Sequence, residues 1–389
     1  MTRIALIDRP WLGYRSVMLA TPLTAAPIER VRAVFAEFLR RHPEAPLSCR
    51  VDGTRWAPVD DVEAHLDRVL RPAPDPDDLE AHVAAHGAAP ADLPFVATVS
   101  PTSVMINGAH VLGDAVTLAQ LLLAVATADP DAFAAIGDRA RTADALRALA
   151  RGLPGHGRGW LDHARHPVAP PAVRPVPTVV PPAPAFAGTV LDQAALRAIT
   201  KWRNANARGV SLTGVLASLA HRALTAHGIP VAGDGLYALV DIRGAVPGPR
   251  FGNLAKALYL PARLDDPAAV SAALSAATDS RRAVPATVAG LRPQAPPSDV
   301  VATPLVLTFN SLPTLPGVAE LPWTVERGRR FYGFGESHDG AGLTLFALRM
   351  RDHMQLTASF DARSAEPAAV RAALADLAPQ PAEVLSAGR

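Results

Sequence analysis

Apolar residues recur along the chain with two spacings, one typical of strands and one typical of helices. Together they predict a mixture of short strands and amphipathic helices. Alternating or continuous apolar runs bounded by turn residues predict strands over residues 16–19, 47–51, 54–59, 95–99, 103–107, 236–242, 257–260, 303–309, 342–350 and 353–360. Apolar residues at helical spacing predict helices over residues 27–42, 62–70, 79–86, 115–123, 143–153, 193–206, 212–224, 267–281 and 366–377. Hairpins interrupt the alternation of strands and helices, so the pattern favours mixed α+β layers over a doubly wound parallel sheet.

The segment 166–187, HPVAPPAVRPVPTVVPPAPAFA, interrupts this pattern with many prolines and no periodicity. Proline lacks the N–H that a helix or a central strand needs, so we expect an extended linker here. Because 389 residues exceed the usual size of one hydrophobic core, we predict two domains, 1–165 and 188–389, joined by the linker.

Composition excludes several classes of function. Lys plus Arg number 38 against 36 Asp plus Glu, and no basic run suggests a nucleic-acid partner. Lys201 and Lys256 are the only lysines, which disfavours a lysine-rich membrane tail and a Schiff-base lysine. Cys49 is the single cysteine, so an intrachain disulfide and a cysteine metal cluster are excluded. With no secretory signal and no apolar run of membrane-spanning length, we expect a cytoplasmic protein without integral membrane contact.

One constellation suggests chemistry: His110 and Asp114 lie between the apolar run 104–106 and the helical pattern that begins at Ala115. An imidazole on such a turn can take a proton from a hydroxyl or amine near neutral pH, while Asp114 holds the loop. The alternative is a histidine packed between two apolar elements and an ordinary helix N-cap. The other histidines lack metal-like spacing, so we expect no metal site, and no G-x-S-x-G nucleophile elbow is present.

In this context the chain resembles the superfamily that includes chloramphenicol acetyltransferase, nonribosomal peptide condensation domains, plant alcohol acyltransferases, polyketide-associated acyltransferases and wax ester synthases. The shared motif is HxxxD, here His110 to Asp114, with a hairpin before it and an apolar helix after it. The segments DIR (241–243), FGN (251–253) and FNS (309–311) stand at family-like spacings, and the resemblance covers nearly the whole chain.

The resemblance implies two similar chloramphenicol-acetyltransferase-like domains with a tunnel at their interface. It implies that His110 promotes attack of a hydroxyl or amine on an acyl thioester, and that Asp114 bonds an arginine. We assign that partner to Arg243, for which an exposed strand-end arginine is the alternative. Near the substrate we expect Gly113, Thr308, Asn310 and Ser311, with Asn310 or Ser311 donating to the thioester oxyanion.

Three features depart from the family pattern. The mildest is Ala115, which stands where many relatives have a glycine after the motif aspartate. Ala109 stands where many relatives have a second histidine before the motif histidine. The segment Phe331 to Gly335, FYGFG, is similar to a glycine-containing motif of the plant enzymes, but Arg330 replaces its aspartate. We therefore expect a glycine turn with aromatic packing at this position.

These expectations define an acyltransferase that needs no permanently bound cofactor. The acyl donor is an acyl-CoA or a phosphopantetheinyl thioester on an acyl carrier protein, and the acceptor is a small molecule of secondary metabolism or lipid metabolism. One alternative is a stand-alone condensation enzyme that joins carrier-bound intermediates through an amide or ester. A second is a catalytically silent relative that binds an acyl carrier or a product.

Overall fold

The computed structural model describes residues 1–137, 157–165, 174–177, 180, 183–243, 252–290, 300–312, 315–335 and 340–386. The predicted helix over 143–153 lies outside these residues. The strands are β1 (Thr2–Arg3), β2 (Arg15–Thr21), β3 (Cys49–Asp52), β4 (Arg55–Pro58), β5 (Leu70–Pro72), β6 (Phe95–Val99), β7 (Val104–Ala109), β8 (Arg174–Pro177), β9 (Pro184–Leu191), β10 (Val231–Asp241), β11 (Ala255–Pro261), β12 (Val300–Leu312), β13 (Arg330–Gly335), β14 (Gly340–Arg349) and β15 (Met354–Asp361). The helices are α1 (Ile28–Arg41), α2 (Val62–Val69), α3 (Leu79–His86), α4 (Ala115–Thr127), α5 (Pro130–Gly137), α6 (Gly157–Arg165), α7 (Gln193–Asn206), α8 (Leu212–Ala226), α9 (Pro267–Asp279), α10 (Ala283–Ala289), α11 (Pro367–Asp376) and α12 (Pro381–Ser386).

The first half of the chain supplies four strands of a five-stranded sheet in the order β13-β2-β7-β6-β5. Strands β6 and β7 form the predicted hairpin, and every residue of β7 is buried. Helices α1, α4 and α5 contribute Phe35, Leu122 and Phe133 to the core beside this sheet. Burial of β7 and α4 in one core fixes both sides of the turn that carries His110.

The second half builds a larger sheet in the order β11-β10-β12-β14-β15-β9, with β8 paired to β12 beside this path. The neighbours β10, β12 and β14 are parallel, whereas the remaining pairs are antiparallel. Helix α8 is apolar over most of its surface, and its side chains lie in the second hydrophobic core. The predicted α+β class is therefore confirmed.

The described part of the proline-rich segment forms strands at positions where proline is tolerated. β8 pairs only with one end of β12, and β9 is the outermost strand beside β15. Edge positions suit proline because a missing N–H interrupts no central ladder. The domain boundaries at 165 and 188 remain a prediction.

Strand β13 comes from the second half of the sequence but completes the sheet of the first half. It pairs antiparallel with β2 from Arg330 opposite Thr21 to Gly335 opposite Ser16. The expected glycine turn over 331–335 is therefore wrong. Phe331 and Phe334 are each 2% exposed, and burial of these aromatic strand formers outweighs the glycines between and after them.

Candidate active site

His110 lies at the junction of β7 and α4. The chain leaves β7 at Ala109, makes a 3-10 turn over His110–Leu112, and enters α4 after Asp114, whose side chain accepts a hydrogen bond from the Val116 amide. Gly113 has φ 142°, and a Cβ there would lie 2.3 Å from Thr117 Oγ1. Only glycine fits this backbone conformation, so the turn that presents His110 requires Gly113.

Asp114 forms the contact predicted from the sequence. Its Oδ1 and Oδ2 atoms accept hydrogen bonds from Arg243 Nη2 at 2.6 and 2.8 Å. Oδ2 also accepts from the backbone N–H of Leu254 at 3.0 Å. The aspartate thus ties the start of α4 to two segments of the second half. Such a buried, multiply bonded carboxylate holds the backbone of the turn in place.

The His110 ring is oriented by Asn253. His110 Nδ1 lies 2.9 Å from Asn253 Oδ1. The Asn253 Nδ2 atom donates to Asp8 Oδ1 at 2.8 Å and to the His110 carbonyl at 2.7 Å. Both of these partners are acceptors, so the amide nitrogen must face them and the amide oxygen must face the imidazole.

This orientation determines the tautomer of the neutral imidazole. Because an amide oxygen only accepts hydrogen bonds, His110 Nδ1 carries the proton and Nε2 presents its lone pair. Among the described residues, Nε2 makes no hydrogen bond. The geometry therefore leaves Nε2 as the basic nitrogen.

Packing around the ring controls its charge. Trp11 stacks on the imidazole with centroids 4.3 Å apart and an interplanar angle of 14°. Burial lowers the pKa of His110, while the Asn253 hydrogen bond and the charges of Asp114 and Asp8 oppose that shift in part. A lowered pKa keeps the imidazole neutral and able to accept a proton at neutral pH.

Residues 308–311, which we expected near the substrate, include Asn310 and Ser311. These two residues lie within β12 rather than after it. Thr308 is half-buried, Asn310 is 4% exposed, and Ser311 Oγ lies 3.2 Å from Thr213 Oγ1. Strand β12 continues through these residues because they pair in register with β14. In the part of the chain that the structure describes, no hydrogen bond joins their side chains to His110, so their substrate contacts remain predictions.

Three residues of the site were not assigned a role from the sequence. They are Asp8, Trp11 and Asn253. The FGN segment marked the position of Asn253, but nothing in the sequence indicated that its amide meets His110. Asp8 and Trp11 precede the first long strand, in a segment for which the sequence predicted no strand or helix.

A small cavity lies between the two larger sheets. Its volume is about 10 Å³, room for about one water molecule. His110 does not line this cavity, so the interface tunnel remains a prediction. The residues around the cavity are Met18, Leu312, Leu315, Phe331, Gly333, Phe346, Leu348, Gln355 and Thr357.

Neither a metal cluster nor a membrane span is found in the described part of the chain. Its ranges contain no group of three or more His, Cys, Asp or Glu side chains placed to hold a metal ion. Within the same ranges, every helix is too short or too polar to cross a membrane.

Comparison with known proteins identifies the fold. No family model matches the sequence, and no curated protein matches it significantly. Among solved structures, the first condensation domain of the calcium-dependent antibiotic synthetase has a TM-score of 0.60 at 13% identity, over 98% of this chain and 93% of that one. Polyketide synthase associated protein 5 from Mycobacterium tuberculosis has a TM-score of 0.58 at 15% identity, over 98% of each chain.

A larger enzyme contains the same fold as one of its parts. The nonribosomal peptide synthetase FmoA3 has a TM-score of 0.57 at 17% identity, and the match covers 99% of this chain but 42% of that one. Because these sequence identities are low, the comparisons show a shared fold and nothing beyond it. The resemblance predicted from the HxxxD motif is confirmed at that level: this chain has the two-subdomain, chloramphenicol-acetyltransferase-like fold of condensation domains and polyketide-associated proteins.

Proposed function

We propose that this chain is an acyltransferase that moves an acyl group from a thioester to a hydroxyl or amine, with His110 as the general base. The observation that carries the proposal is the fixed Asn253 amide, which leaves His110 Nε2 as the unprotonated nitrogen. A histidine packed only for structure is expected to form hydrogen bonds at both ring nitrogens, whereas Nε2 of His110 forms none with the described residues. The condensation-domain fold supports the same class of reaction.

In the proposed reaction, Nε2 takes the proton of the acceptor as its oxygen or nitrogen attacks the thioester carbonyl. The tetrahedral intermediate then collapses, the carbon–sulfur bond breaks, and the imidazolium returns the proton to the leaving thiolate. The positive charge on His110 is transient and is stabilised by the nearby Asp114 and Asp8 carboxylates. The products are an ester or amide and a free thiol.

The remaining predicted residues have positioning and binding roles in this proposal. The Asp114–Arg243 pair holds the His110 turn against the second half of the chain. Gly113 allows that turn and lies near the substrate in this proposal. Asn310 or Ser311 donates a hydrogen bond to the oxyanion, and Thr308 lies along the substrate path.

The proposed donor is an acyl-CoA or a phosphopantetheinyl thioester on a carrier protein. Both are substrates, so the chain itself holds no permanent cofactor in this scheme. Because the fold is shared with a condensation domain, the second candidate is a variant in which the acceptor is also bound to a carrier. In both variants of the proposal, His110 is the base that deprotonates the acceptor.

The test is a matrix of donors and acceptors. Purified protein is incubated with acyl-CoA thioesters of several chain lengths or with acyl carrier proteins, each combined with alcohols and amines. Free thiol is measured continuously, and the acylated product is identified by mass spectrometry. Thiol release that requires an acceptor supports transfer. Saturable binding of an acyl carrier without thiol release from any pair would favour the silent relative instead.

A further inference from the structure

Asp8 is a buried carboxylate next to the site, and the proposed reaction gives it no proton to move. It is 4% exposed and lies just before the 3-10 turn Arg9–Trp11. Its Oδ1 atom accepts two hydrogen bonds from Asn253, from the side-chain Nδ2 at 2.8 Å and from the backbone N–H at 3.2 Å. The two residues are 245 positions apart in sequence.

The carboxylate supplies the stronger of the two restraints on the Asn253 amide. The other acceptor of Nδ2 is the neutral carbonyl oxygen of His110. A hydrogen bond to a charged acceptor is roughly twice as strong as one between neutral groups. A flipped amide would place Oδ1 against the carboxylate of Asp8, where two acceptors repel each other in a buried setting.

We infer that Asp8 is a positioning residue that selects the proton-bearing nitrogen of His110 through the amide of Asn253. The chain of contacts runs from the Asp8 carboxylate to Asn253 Nδ2, and from Asn253 Oδ1 to His110 Nδ1. Its catalytic consequence rests on the proposed function, but the tautomer is a property of the protein alone. An experiment can therefore disprove the selection of the His110 tautomer without disproving the acyl transfer, and the reverse.

The proposal is tested by nitrogen-15 NMR of histidine-labelled full-length protein, at a pH where histidine is neutral. The His110 signals are assigned by their loss in His110→Gln. In the wild type we expect the Nδ1–H tautomer. In Asp8→Leu the ratio of Nδ1–H to Nε2–H should fall by about 10- to 100-fold, because a hydrogen bond to a charged group is lost.

A conservative variant and a control separate positioning from general damage. Asp8→Asn keeps an oxygen acceptor and should restore most of the wild-type tautomer ratio. Asp361→Asn alters another buried carboxylate, paired with Arg363, and should leave the His110 tautomer unchanged. If Asp8→Leu does not fold, Asp8→Ala replaces it with the same expected direction, because alanine also removes the acceptor at position 8 and is smaller than aspartate.

Three results would overturn the inference. The first is a wild-type His110 in the Nε2–H form, which requires no variant. The second is an unchanged tautomer ratio in folded Asp8→Leu or Asp8→Ala. The third is an equal loss in Asp8→Asn, because the effect would then not depend on an acceptor at position 8. Thiol release measured on the same samples reports the proposed function independently.

Discussion

At the scale of single residues, the proposed acyl transfer depends on a neutral His110 whose Nε2 makes no hydrogen bond with the described residues. Burial lowers the pKa of this imidazole, and the Asn253 hydrogen bond and the two nearby carboxylates offset only part of that shift. A lowered pKa favours the neutral form, which is the form that accepts a proton. His110 therefore remains neutral below the pH at which an ordinary histidine becomes protonated, as the proposed base requires.

This shift predicts the pH dependence of the reaction. On the acid side, kcat/KM should fall as His110 becomes protonated, with an apparent pKa below the ordinary value of 6.5. A pH series with a donor and acceptor whose own groups do not titrate in this range measures it. An acid limb centred above 6.5 would contradict a buried histidine base.

Asp114 should behave as a structural residue with an indirect effect on rate. Asp114→Asn keeps a helix-capping oxygen but removes the charge that pairs with Arg243, whose side chain is 22% exposed. We expect a loss of about 1–3 kcal/mol in the free energy of unfolding, because a largely buried ion pair loses one partner. Activity should fall as the turn loosens. Denaturant unfolding measures the stability change.

Asp61 offers a matched control for this substitution. It caps α2 in the same way, accepting from the Ala64 amide, but it is exposed and forms no ion pair with any described residue. Because Asn and Asp are similar N-caps, Asp61→Asn should change stability by only a few tenths of a kcal/mol, about 0.3. Equal losses at positions 61 and 114 would show that the Arg243 pair contributes little.

At the scale of elements, the unit of function is the β7–turn–α4 segment. The strand, the turn and the helix were all predicted from the sequence, because their signals are local: an apolar run, two glycines and a capping aspartate. The helices that begin after Asp192, Ser211 and Asp266 were predicted for the same reason, and each of these side chains accepts a backbone N–H hydrogen bond at the start of its helix. Each places a side-chain acceptor next to the amides that it serves, so the neighbouring sequence contains the whole interaction.

The turn before α4 requires glycine at position 113, and this requirement can be tested by substitution. Gly113→Ala should destabilise the protein by about 1–3 kcal/mol, because alanine is strained at φ 142° and its Cβ would meet Thr117 Oγ1. Gly53→Ala is the control, since Gly53 also has positive φ but has nothing within 4 Å of the place that a Cβ would occupy. Thermal unfolding of both variants measures the difference. A Gly113→Ala protein no less stable than Gly53→Ala would contradict the assigned turn.

At the scale of the whole molecule, the features that the sequence could not predict are contacts between residues far apart in the chain. The Asp8–Asn253–His110 contacts join residues up to 245 positions apart, and no local pattern encodes such a meeting. The pairing of β13 with β2 is equally non-local, which explains why Phe331 to Gly335 resembled a turn. The family resemblance supplied the Asp114–Arg243 contact, because that contact belongs to a recognisable motif.

Packing of second-half residues in the core of the first half predicts how the protein unfolds. Phe331, Leu315 and Leu348 from the second half of the sequence lie in the hydrophobic core of the first half. Unfolding of either half would expose part of the other, so we expect one cooperative transition in differential scanning calorimetry. Two separated transitions, each with its own enthalpy, would show that the halves are energetically independent.

The central claim is that His110 is the base of a thioester acyl transfer, and one substitution tests it most directly. His110→Ala should lower the rate of acceptor-dependent thiol release by about 100- to 10,000-fold, the usual contribution of a positioned acid–base group. Its unfolding transition should stay cooperative, and His227→Ala, at an exposed pair with Asp376, should retain the wild-type rate. A folded His110→Ala protein that releases thiol at nearly the wild-type rate would contradict the claim.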